Sequence, residues 1–94
     1  MRDWKAFRAK VQGEGGECRR CGLIGADAAH IIPRSRIPGP EAMDARNCVP
    51  LCRHCHTAFD HGRLDLVGLL NREEQLYAVE LVGLGEAHRR LARG

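Results

Sequence analysis

Cys18-Arg-Arg-Cys21 and Cys52-Arg-His-Cys55 each set two thiols three positions apart, and His56 follows the second pair directly. Two such pairs can bring four thiolates around one zinc ion, tetrahedrally and at about 2.3 Å. The spacing predicts a single structural zinc site held by four cysteines. A site of this kind contributes on the order of 10–16 kcal/mol in isolated zinc modules, comparable with the whole stability of a small domain. It is folding chemistry and by itself implies no activity. The fifth cysteine, Cys48, sits in an apolar Val49-Pro50-Leu51 context. It is expected in the core as a small hydrophobe, not on the metal.

Between the two pairs lie His30, in Ala29-His30-Ile31-Ile32-Pro33-Arg34, and Asn47, just before Cys48. Phosphodiester hydrolysis needs an attacking hydroxide, charge neutralisation on the phosphate and help for the leaving oxygen. Imidazole titrates near neutral pH, so His30 is suited to be a general base; a solvent-facing strand histidine is the plainer alternative. His56 is held at a helix start beside a zinc-fixed cysteine, and an active-site ligand needs that rigidity. Asn47 also suits ordinary turn chemistry. Arg34 and Arg36 open the loop after His30 and are the candidate phosphate contacts.

The order of these residues resembles the HNH endonuclease family, in particular its small, zinc-stapled, phage-type members. The resemblance rests on Cys18-x-x-Cys21-Gly22, then Ala29-His30-Ile31-Ile32-Pro33-Arg34-Ser35-Arg36, then Asn47-x-Val49-Pro50-Leu51-Cys52-x-x-Cys55-His56, and it covers residues 18 to about 62. It implies an α+β fold, the ββα-metal finger, with its zinc on four cysteines. It further implies His30 as general base, His56 as ligand of a catalytic metal, and Asn47 as the residue that orients the base-bearing loop. Many family members carry His or Asp immediately before the base, where this chain has Ala29. Asp27 shares a strand face with position 29 and is the nominated second ligand. His61 is expected to complete the set, slightly ahead of Asp60, which lies one turn beyond His56 on the same helical face. The catalytic ion is expected to be Mg²⁺ or Mn²⁺, with Ni²⁺, Co²⁺ or Zn²⁺ also admitted by imidazole ligands. The expected partner is DNA, and the products are a 5′-phosphate and a 3′-hydroxyl. Phage or packaging proteins are further candidate partners.

Other elements must position these groups. Trp4, Phe7 and Val11 recur with helical spacing and predict a helix over residues 2–11, with Asp3 as N-cap and Gly13 to Gly16 as its end. That helix is expected to pack on the zinc module. Residues 26–32 read as a strand ending at Pro33, residues 33–46 as a long loop, 47–51 as a short extended piece, and 53–60 as a helix leaving the second knuckle. Asn71 with Glu74 forms a capping box. It opens a helix whose apolar stripe is Leu76, Val79 and Val82, with Leu81. Gly83 and Gly85 are expected to break it, before a last basic turn from Glu86 to Leu91. The flanking helices thus span about 2–11 and 72–92.

The chain has 94 residues, a net charge of +3 and five cysteines. That length suggests one domain over residues 1–94 with a marginal core, which a metal would staple. An odd cysteine count and no secretory signal favour a reduced, cytoplasmic setting. No run approaches a membrane span, so no membrane role is expected. A monomer is favoured. The charge is compatible with nucleic acid without demanding it. Arg19, Arg20, Arg34, Arg36, Arg46, Arg53 and Arg63 all fall among the Cys and His residues. His54 is expected to face solvent, and His88 with Arg89 and Arg90 to form an exposed basic helix end. Two rival readings remain. One is a non-catalytic zinc module that binds nucleic acid, supported by Ala29; the other is a protein–protein adaptor using the C-terminal helix.

Overall fold

The computed structural model describes residues 4–92. Helix α1 spans Lys5–Gly13, so the expected cap at Asp3 lies outside the described residues. Strand β1 is Asp27–His30 and β2 is Cys48–Leu51. Helix α2 covers Arg53–Asp60, α3 Arg72–Val82 and α4 Leu84–Leu91. Two single 3-10 turns, Pro40–Met43 and Ala45–Asn47, tighten the loop between the strands.

The first Cys pair sits in a small hairpin. The Cys18 N–H donates to the Leu23 carbonyl at 2.8 Å, Glu17 bridges Ile24, and Gly22 takes φ +78°. That left-handed turn suits a residue without Cβ. β1 and β2 then pair antiparallel, with Asp27 opposite Leu51, Ala29 opposite Val49 and His30 opposite Cys48. Pro50 cannot donate to a ladder, but a two-stranded sheet has only edges, so it is tolerated. Its carbonyl accepts from the Arg19 N–H at 2.9 Å and ties β2 to the first knuckle. α2 follows β2 at once, with Cys52 as its N-cap residue. The two strands and α2 make the expected ββα unit.

The core gathers Ile31, Ile32, Val49, Leu51, Phe59 and Leu66 with the zinc-pair residues Cys18, Cys52 and Cys55. The metal clamp is therefore one wall of the core. Ala87 and Leu91 of α4 close another side, and the Leu66 N–H donates to the Leu91 carbonyl at 2.9 Å. α1 packs against both strands, as expected.

Two expectations at the C-terminal end need correction. The stripe that periodicity predicts for α3 is only part of its inner face: Val79, Leu81 and Val82 pack against the core, but Leu76 is 57% exposed, and Glu74, Tyr77 and Ala78 are buried as well. For the glutamate the cause is electrostatic. Glu74 is drawn inward by Lys10 of α1 at 2.6 Å and Arg19 of the first knuckle at 2.5 Å. The last basic turn is a full helix, α4. Gly83, at φ +86°, ends α3 as expected, but Gly85 lies within α4 and breaks nothing. Among the described residues, no helix is long and apolar enough to cross a membrane.

Candidate active site

The sulfur atoms of Cys18, Cys21, Cys52 and Cys55 all lie within 4.8 Å of one another, and those of Cys21 and Cys52 are 3.5 Å apart. Four sulfurs around one zinc ion are separated by about 3.8 Å, so the donor set and its spacing fit a closed tetrahedral zinc site. Cys48 stands outside it. It is fully buried, and burial pushes its thiol up to about 11. That makes it a core residue and a poor thiolate.

The clamp fixes Cys55, and α2 propagates the fixed direction. Cys55 and Phe59 face the core, which turns His56 and Asp60, one helical turn apart, toward β1. The His56 ring lies between two carboxylates: Nδ1 is 3.6 Å from Asp27 Oδ2, and Nε2 is 3.4 Å from Asp60 Oδ2. These gaps exceed a good hydrogen bond. The Asp60 gap falls within the spacing that two adjacent ligands of one divalent cation keep, about 3.0–3.5 Å, and the Asp27 gap lies just beyond it. The three donors do not converge on one point, because the carboxylates face opposite nitrogens. Among the described residues, only the four cysteines form a cluster with converging donor atoms.

His30 ends β1 and shares a cleft of about 310 Å³ with His56. Its ring is gripped from the α1 side. The Trp4 ring meets it edge-on with centroids 5.6 Å apart, and the Phe7 ring lies at 4.9 Å. Such contacts hold the ring in one orientation. Arg34, Asp60 and Arg90 complete the polar lining. Asn47 is 1% exposed and does not line this cleft. Its side chain accepts from the Ile32 N–H at 2.8 Å and donates to the carbonyls of Ile32 and Ala42 at 3.0 and 2.9 Å. Its own carbonyl accepts from the Ile31 N–H at 2.9 Å. Asn47 thus pins the backbone just after His30 and serves the turn as well.

A family model described as HNH endonuclease matches residues 17–67. The chain belongs to the HNH endonuclease family. No curated protein and no solved structure is significantly similar to it. The matched stretch of the HNH domain carries both knuckles, both strands and α2. The helices α1, α3 and α4 lie outside it.

Two of those outer helices reach the site, α1 through Phe7 beside His30 and α4 through Arg90. Arg90 of α4 stacks over the Phe59 ring at 4.2 Å, donates from Nε to the Ile31 carbonyl at 3.0 Å, and brings Nη2 to 3.8 Å from Asp60. Sequence reasoning places it on an exposed helix end; its side chain is 16% exposed. The available signal is its place between the core residues Ala87 and Leu91. Arg36, expected on phosphate, is paired with Glu86 at 2.6 Å instead of lining the cleft. His61 caps α2 on another side and shares a separate groove with His54. The structure brings Asp60, not His61, to His56 because residue 60 follows 56 by one turn.

Proposed function

We propose that this HNH domain is a metal-dependent DNA endonuclease or nicking enzyme. One observation carries the reading: two imidazoles from different elements, His30 and His56, open onto one cleft that also holds carboxylate and guanidinium groups. His30 acts as general base and takes a proton from the water that attacks phosphorus. His56 holds the catalytic cation together with Asp27 or Asp60, and Asp60 takes the place expected of His61. When bound there, a divalent cation neutralises the phosphate and the leaving oxygen. Arg34 and Arg90 offset charge on the non-bridging oxygens. Asn47 acts through the Ile31–Ile32 backbone and is a positioning residue. The products are a 5′-phosphate and a 3′-hydroxyl.

Plasmid nicking in Mg²⁺, Mn²⁺ or Ni²⁺ tests this. His30→Ala should cut at least about a hundredfold more slowly than the parent protein. Equal cleavage by both would remove His30 as base.

Ala29 favours a second reading. The position that carries a ligand in many family members is here fully buried and apolar. A degenerate module would bind DNA without cutting it in any of these metals, and the same assay with a binding measurement separates the two.

A further inference from the structure

Apart from Arg34 in the cleft, the arginines between residues 19 and 63 divide into two groups. Arg19 pairs with Glu14 and Glu74, Arg36 with Glu86, and Arg46 with Asp44 while it covers the Tyr77 ring. These serve the fold. Arg53 and Arg63, with Arg20, whose Nη1 also donates to Cys55 Sγ at 3.7 Å, instead gather with His54, Thr57 and His61 in an open groove of about 900 Å³ along the outer side of α2. Among the described residues, no carboxylate lines it.

The groove borders the cleft. His56 and Asp60 lie on one face of α2, and Arg53, Thr57 and His61 on the next. Arg53 spans the rim: it lines the groove, and its Nε sits 3.6 Å from Asp27 beside the cleft. Its side chain is 88% exposed. Guanidinium, imidazole and hydroxyl groups are the donors that phosphate oxygens accept from. Among the described residues, the lining holds no Phe, Tyr or Trp ring, the platforms on which unpaired bases stack.

We propose that this groove is a second phosphate-binding surface, holding the backbone of duplex DNA beside the segment that enters the cleft. The inference rests on the nuclease reading for its substrate, but its test does not depend on cleavage. Affinity for a short labelled duplex would be measured by fluorescence anisotropy across a salt series, with zinc-loaded protein carrying His30→Ala. Each lost phosphate contact lowers the slope of log affinity against log salt by about 0.9. Arg53→Gln/Arg63→Gln should lower it by about 1.8 and weaken binding about tenfold or more. Arg53→Lys/Arg63→Lys keeps the charge and should keep most of the slope. Arg72→Gln, in a hollow shared with Glu73 and Glu80, should leave it unchanged. In the cleaving protein, Arg63→Gln alone, away from Asp27, should raise KM and spare kcat.

An unchanged slope in the glutamine pair, or an equal loss in Arg72→Gln, would overturn the proposal. So would equal affinity for single-stranded and duplex DNA. A groove-dependent slope in a protein that never cleaves would sink the nuclease reading and support the groove.

Discussion

His56 meets Asp27 through one ring nitrogen and Asp60 through the other, and an incoming cation can use only one nitrogen of the neutral ring. The two carboxylates therefore compete for the ion, and substitution separates them. If the ion lies on the Asp27 side, Asp27→Asn should raise the metal concentration for half-maximal cleavage about 10–100-fold, while Asp60→Asn shifts it little. Titration of Mn²⁺ against nicking rate reads this directly, and the reverse ranking would put the ion on the Asp60 side. Arg90 offers a second prediction. Lysine cannot reproduce a planar guanidinium that stacks on Phe59 while donating to Ile31. Arg90→Lys should lower kcat/KM about tenfold, or about 1.4 kcal/mol in barrier. Steady-state kinetics against an unchanged melting temperature would distinguish lost chemistry from lost packing. His30, Asn47 and His56 are legible in the sequence because each sits at a fixed offset from a zinc ligand or a proline. Arg90 is not, because its partners Ile31 and Phe59 are distant in sequence.

At the scale of elements, local rules succeed where local chemistry decides. The helix at residues 53–60 emerges as expected because Cys52 and Cys55 dictate its start, and the Asn71–Glu74 capping box is present with both reciprocal hydrogen bonds. The same Glu74 is a position of α3 that hydrophobic periodicity misses, although Val79, Leu81 and Val82 of the predicted stripe do pack on the core. A hydrophobic pattern counts a glutamate as polar, but two cations from distant segments pull this one inside. Burial alone would raise its pKa; Arg19, Lys10 and the Asn71 N–H outweigh that and hold it below the ordinary 4.5. Its ion pairs therefore stabilise the fold fully above pH 4.5 and are lost as pH falls through the lower folded value. Glu74→Gln keeps a capping side chain but strands Lys10 and Arg19, at a cost of about 3 kcal/mol near neutral pH. Denaturant unfolding across the acid range should show that difference shrink below pH 4.5. A constant difference would contradict the depressed pKa.

For the whole molecule, the zinc cluster and the core share residues, so metal loss and unfolding should be one event. Chelation should abolish the helical signal in far-ultraviolet circular dichroism together with nicking, and zinc should restore both. Persistence of the helices after full zinc removal would show that the apolar core suffices alone. Cys48→Ala should leave the zinc stoichiometry unchanged, as metal analysis would show.

The contribution of α4 bears on how such nucleases spread. The recognisable stretch ends at residue 67, yet Ala87 and Leu91 seal its apolar side and Arg90 props the backbone just after His30. A gene fragment carrying only the recognisable cassette would inherit the reactive groups without their lid. Any recipient protein would have to supply its own covering for that apolar side, and another partner for the Ile31 carbonyl.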